Sequence, residues 1–216
     1  MKEEKNEKKR DEVENHSKKI IALALALVLL IGGTYAWLTL TLNGNKTVRL
    51  EAGTLSLNLT NEANEINMLD AVPVTDADGM ATTPYTFTLE NNGTIPSDYS
   101  IFLDKMAIDA GLKDMPQHRI KFRIAKTIKE KVGDTMDPSS DTVIDTDDGE
   151  IKALNPTSGG EEQNPNRLLD SGSIEANQYI EYTLRLWIDQ NATSAEMNDT
   201  AFKGQLRIEA TQQDMD

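Results

Sequence analysis

From Leu38 onward, hydrophobic residues recur at every second position. Leu38, Leu40 and Leu42 alternate with Thr39 and Thr41; Leu55, Leu57 and Leu59 alternate with Ser56 and Asn58; Tyr85, Phe87 and Leu89 alternate with Thr86 and Thr88. The same phase appears at Tyr99, Ile101 and Leu103, at Ile120, Phe122 and Ile124, at Leu206, Ile208 and Ala210, and in the longest row, Ile180, Tyr182, Leu184, Leu186 and Ile188. A period of two places one face of each strand in a core and the other in water, the pattern of antiparallel sheets. Turn signals such as Asn91-Asn92-Gly93 separate the rows. The expectation is an all-β chain, a two-sheet antiparallel sandwich of jelly-roll type. Helical signal is confined to a turn or two at 105–113 and 193–201. One stretch breaks the alternation. Residues 132–172 hold 10 acidic and 2 basic groups among many Gly, Pro, Ser, Asn and Thr. They predict a long exposed acidic insertion, with short strands at 142–144 and 151–154.

The first 36 residues follow another rule. A polar, lysine-rich leader (1–19) ends in Lys18-Lys19, twelve apolar residues follow at 20–31, and Gly32-Gly33 breaks the run before Thr34-Tyr35-Ala36. Basic region, apolar core and small-residue exit make a secretory signal peptide over 1–36, with cleavage between Ala36 and Trp37. Twelve residues of helix span about 18 Å, short of the roughly 30 Å of hydrocarbon. Because no charge occurs between Ile20 and Asn45, a retained membrane anchor is the rival. Either way residues 37–216 lie outside the membrane, secreted or at the cell surface.

Charge and composition narrow the chemistry. The chain of 216 residues carries a net charge of −14, and residues 37–216 hold 15 basic and 30 acidic groups. Phosphate would be repelled, so nucleic acid is not a partner. The absence of cysteine removes disulfides, thiolate metal sites and a cysteine nucleophile. Two histidines, His16 and His118, do not supply a helical zinc motif, and His16 lies in the leader. No Gly-x-Ser-x-Gly surrounds a serine. Two acidic turns, Asp76-Ala77-Asp78-Gly79 and Asp145-Thr146-Asp147-Asp148-Gly149, look like calcium loops. Aligning each glycine with the sixth loop position puts Val74 or Ile144 where an acid is required. The expectation is no catalytic, cofactor or metal site and no enzyme activity.

The segment after the cleavage point carries the most information. Trp37-Leu38-Thr39-Leu40-Thr41-Leu42 has high strand propensity and no charge, and Asn43-Gly44-Asn45 follows as a turn or hinge. A strand freed at a new terminus either pairs in its own sheet or adds to the edge of a neighbour. The residues alone leave both open. Ten residues from Trp37 reach about 33 Å when extended, enough to lie along another subunit.

Four ordered motifs carry a resemblance. Gly32-Gly33-Thr34-Tyr35-Ala36-Trp37, Ala52-Gly53-Thr54-Leu55-Ser56-Leu57, Phe87-Thr88-Leu89-Glu90-Asn91-Asn92-Gly93-Thr94 and the closing Phe202-Lys203-Gly204-Gln205-Leu206-Arg207-Ile208-Glu209-Ala210-Thr211-Gln212 resemble the TasA/camelysin family of Gram-positive bacteria. That resemblance implies a jelly-roll domain over 50–216, export through a signal peptidase, and self-assembly into extracellular biofilm-matrix fibres, with a minor matrix subunit as a further partner. It also implies that residues 37–49 are a donor strand, with Trp37, Leu38, Leu40, Leu42 and Val48 entering another copy. Camelysin members are classed as metallopeptidases, an activity that the histidine count argues against here. The alternative is a membrane-anchored cell-surface β-domain that binds a protein or glycan and touches the membrane only through its uncleaved leader.

Overall fold

A computed structural model describes residues 40–43, 48–49, 56–60, 65–69, 71–133 and 135–212, with side chains described from residue 65 to residue 211. In chain order the strands are β1 (Leu40–Asn43), β2 (Val48–Arg49), β3 (Ser56–Thr60), β4 (Glu65–Leu69), β5 (Pro73–Val74), β6 (Tyr85–Asn91), β7 (Ser97–Lys105) and β8 (Lys113–Asp114). They continue with β9 (Ile120–Glu130), β10 (Thr142–Asp147), β11 (Lys152–Ala153), β12 (Thr157–Ser158), β13 (Glu161–Glu162), β14 (Leu168–Ile174), β15 (Gln178–Asp189) and β16 (Thr200–Gln212). Two short helices, α1 (Asp76–Met80) and α2 (Ser194–Met197), and a 3₁₀ turn (Gln117–Arg119) complete the described elements.

Two antiparallel sheets form the sandwich, as the alternation predicted. In the first, β16 is central: β7 and then β14 lie on one side, and β4 and β1 share the other. The second runs β10-β9-β15-β6-β3-β2, with β11 on β9 and β5 parallel to β15. The even-numbered residues of β15 from Ile180 to Ile188 meet Phe202, Leu206, Ile208 and Ala210 of β16 in one core. Each such aliphatic side chain contributes about 1.5–3 kcal/mol by leaving water.

Two aromatic residues on the outer face of β15 are buried as well. Trp187 lies beneath α1, where Gly79 sits so close that a Cβ would approach the indole to 2.4 Å. Thr75 caps this helix by accepting the Asp78 N–H, so the acidic turn at 76–79 is helical. Tyr179, at the other end of β15, donates its hydroxyl to Asp141 Oδ2 at 3.0 Å, and Asp141 also accepts the Val132 and Asp137 N–H groups.

Two sequence expectations change in detail, and one strand was not foreseen. The acidic stretch at 132–172 is largely exposed, but it also supplies the edge strand β10, the buried Leu154 and Leu169, and the start of β14 in the opposite sheet. Residues 105–113 are not helical; amides at both ends of the stretch bond across to the last strand and the residue before it, with Met106 N–H donating to Lys203 O of β16 and Lys113 N–H to Asp199 O. Strand β4 has only Ile66 and Met68 as buried positions, too short a row to stand out in the sequence.

Candidate functional site

The expected donor region divides between the two sheets. β1 lies antiparallel on β16 of its own chain, in the register Leu40↔Ala210, Thr41↔Glu209, Leu42↔Ile208 and Asn43↔Arg207. Val48 lies in β2, opposite Leu57 of β3, at the edge of the other sheet. Ala36, Trp37 and Leu38 lie outside the described residues. Among the described residues only β16 pairs with β1, which puts β1 at an edge there, continued along the same side of β16 by β4.

The stretch of β16 that receives β1 has two different faces. Ile208 and Ala210 are buried at 0% and 1% exposure. On the outer face, Arg207 donates to Asp104 Oδ2 at 2.7 Å, pairs with Glu209, and stacks its guanidinium 4.3 Å from the centre of the Phe102 ring. A strand laid on this edge must therefore alternate apolar and polar residues, as Leu40-Thr41-Leu42 does.

Two polar clusters inside the sandwich were not foreseen. In the first, Lys126 occupies an inward position of β9 between Ile124 and Ile128 and donates to both Asp170 oxygens of β14, at 2.9 and 3.1 Å. Tyr182 donates to Asp170 Oδ2 at 2.9 Å and lies 2.8 Å from the Tyr99 hydroxyl, so the network joins the two sheets. Burial raises the pKa of both phenols. Burial is the largest single influence and opposes the Lys126 charge, but the hydrogen bond to Asp170, the charge of Asp170 and the neighbouring Tyr99 together outweigh it, so the net shift is upward. A lysine in the apolar phase of an otherwise alternating row was the one signal in the sequence.

The second cluster explains the Glu90-Asn91-Asn92-Gly93 motif. Asn91 is fully buried; its amide donates to Ile95 O and, across the sandwich, to Ile174 O, while its oxygen accepts the Gly93 N–H. Glu90 pairs with Lys131 at 3.0 Å, and Lys131 also donates to Asn92 Oδ1 at 2.6 Å.

Metal-ligand chemistry finds no matching donor set. Among the described residues, no group of three or more His, Asp or Glu converges as a metal site. His118 lies 4.0 Å from Glu196 Oε1. That oxygen accepts from Arg119, and Oε2 accepts from Thr193 N–H and Oγ1 in a capping box at α2. The Thr193 amide, with help from Arg119, draws the Glu196 pKa down to about 2. Asp76 is held by Lys121 Nζ at 2.8 Å and by Trp187 Nε1 at 3.1 Å, and its pKa is lowered chiefly by Lys121. In the second acidic turn, Asp147 accepts the Gly149 N–H. Gly149 has φ +67°, and a Cβ there would meet Ile124 O at 1.9 Å.

A family model described as camelysin metallo-endopeptidase matches residues 14–214. The chain belongs to the TasA/camelysin family. The match begins in the polar N-terminal stretch, takes in the apolar run at 20–31 and β1, and ends after the closing strand β16. No curated protein matches the chain. The camelysin description carries an endopeptidase label, but the described residues do not fit a catalytic metal ion, so no hydrolytic step follows from them.

Proposed function

We propose that this camelysin-family chain is a secreted structural subunit of extracellular biofilm-matrix fibres, assembling head to tail by passing β1 from its own β16 to the β16 of the next copy. The observation that carries this reading is the pairing of β1. Four residues lie in register on the edge of β16, and among the described residues no other strand holds them. Moving an identical strand to an identical edge remakes the same ladder, so exchange costs little beyond association and the conformational change at the hinge. The contact is heterologous and does not close on itself, which yields a filament. The sequence Asn43-Gly44-Asn45, read as a turn or hinge, is what this exchange would use. Processing between Ala36 and Trp37 by a signal peptidase frees the strand, and a minor matrix subunit is the natural partner at a filament end.

The same pairing within one chain favours one alternative, a monomeric surface domain anchored through residues 20–31. Among the described residues no helix is long and apolar enough to cross a membrane, and the apolar run lies outside them.

The lack of native cysteine allows a direct test. Thr41 and Glu209 are register partners, within disulfide reach for an antiparallel pair. Mature Thr41→Cys and Glu209→Cys proteins, mixed under fibre-forming conditions and oxidised, should yield a disulfide-linked heterodimer. The doubly substituted chain should yield covalent ladders in non-reducing gels. Intrachain linkage alone, at every concentration that gives fibres, would exclude strand exchange and favour the monomeric domain.

A further inference from the structure

Three reactive groups converge at one end of the second sheet. Lys131 directly follows β9; its side chain is 4% exposed and its Nζ lies 3.0 Å from Glu90 Oε1 and 2.6 Å from Asn92 Oδ1. Glu90 and Asn92 stand at the end of β6. β9 and β6 flank β15 on opposite sides, so an amine, a carboxyl and a carboxamide meet across an intervening strand. Lys131 is fixed by its backbone: its N–H donates to Asn177 O at 3.1 Å, and its carbonyl accepts from Asn177 Nδ2 at 3.0 Å.

We propose that Lys131 and Asn92 become joined by an autocatalytic isopeptide bond, with Glu90 as the proton relay. In the first step one proton passes from the ammonium to the carboxylate along the contact between Nζ and Oε1, leaving a neutral amine beside a neutral acid. The amine lone pair attacks Asn92 Cγ, one bond beyond the oxygen that Lys131 already contacts. Glu90 donates its proton to the departing carboxamide nitrogen and takes one from Nζ. Collapse of the tetrahedral adduct breaks the Cγ–Nδ2 bond and expels ammonia. Amine plus primary amide thus gives a secondary amide and ammonia, with no oxidant and no cofactor. Asn92 is exposed as a residue, so ammonia leaves straight into water.

The competing reaction at an Asn-Gly pair is attack by the following backbone nitrogen on the same carbonyl. Here the Gly93 N–H is engaged by Asn91 Oδ1 at 2.8 Å, and Gly93 is buried. Lys131 is the nucleophile with access. In a chain without cysteine, this bond would be a covalent brace across β15. It stands apart from strand exchange, since β1 takes no part.

The test is intact mass followed by peptide mapping of the purified full chain. The expected result is a protein lighter than its sequence by one ammonia, with a branched peptide linking residue 131 to residue 92 and no tryptic cleavage after Lys131. Glu90→Gln and Asn92→Ala should each restore the full mass of their own sequences and cleavage at Lys131. A wild-type protein at full sequence mass would overturn the proposal. So would a loss of ammonia with Lys131 still cleavable, which marks cyclisation at Asn92. The wild-type mass decides the matter even if a variant fails to fold.

Discussion

Replacing Asp170 by alanine should unlock the two sheets from each other. In the folded protein Asp170 accepts from Lys126 at 2.9 and 3.1 Å and from Tyr182 at 2.9 Å, with Tyr99 at 3.2 Å. The substitution leaves the Tyr99–Tyr182 hydroxyl contact in place but strands an inward-facing ammonium whose side chain is only 18% exposed. Breaking a buried pair from one side costs about 3–5 kcal/mol. The partial exposure of Lys126 lets water soften this, so about 3 kcal/mol is expected. For a domain of this size each kcal/mol corresponds to roughly 2–4 °C, so Tm should fall by about 6–12 °C. Lys126→Met in the same chain removes the stranded charge and should recover about half of the loss or more. Urea unfolding followed by far-ultraviolet circular dichroism measures all four corners of the cycle. A loss below about 1 kcal/mol for Asp170→Ala would refute the reasoning. So would a double variant no more stable than the single one.

Two further outcomes follow from the same packing. Burial raises the pKa of Tyr99, Tyr179 and Tyr182, so these phenols stay protonated in the folded state at pH values where the unfolded chain ionises. Their contribution to stability is complete below the unfolded value of 10.0 and declines as pH rises beyond it; the raised Lys126 acts in the same direction above 10.5. Phenolate absorbance should therefore show these three of the five tyrosines ionising only with alkaline unfolding, and a reversible native titration of all five would contradict it. Gly79→Ala places a methyl 2.4 Å from the Trp187 ring and should cost about 1–3 kcal/mol by overpacking, with a change in Trp187 emission; unchanged stability and emission would show that α1 does not clamp the indole.

The described strands were legible wherever alternation ran long. The row from Ile180 to Ile188 became β15, and the row closing at Ala210 became β16. Where a strand lacked a regular apolar row, the signal failed. β14 contains Asp170, Ser171, Gly172 and Ser173, with Asp170 turned to Lys126 and the next three exposed, and shifts register between Leu168 and Asp170, so its sequence looks like a loop. The buried outer-face residues Tyr179 and Trp187 keep the phase of exposed positions, because what they meet, Asp141 and α1, lies far off in the sequence.

The sequence by itself determined the fold class, the family and the presence of an alternating apolar row at Leu38, Leu40 and Leu42. These depend on residues close together in the chain, whose period and order survive without knowledge of partners. Only the tertiary structure decided that β1 rests on β16 of its own chain, that Val48 belongs to the other sheet, and that Lys131 meets Glu90 and Asn92. Strand pairing is chosen among edges far apart in sequence, by which faces bury best together. A polar cluster forms only where that choice happens to close three groups on one another.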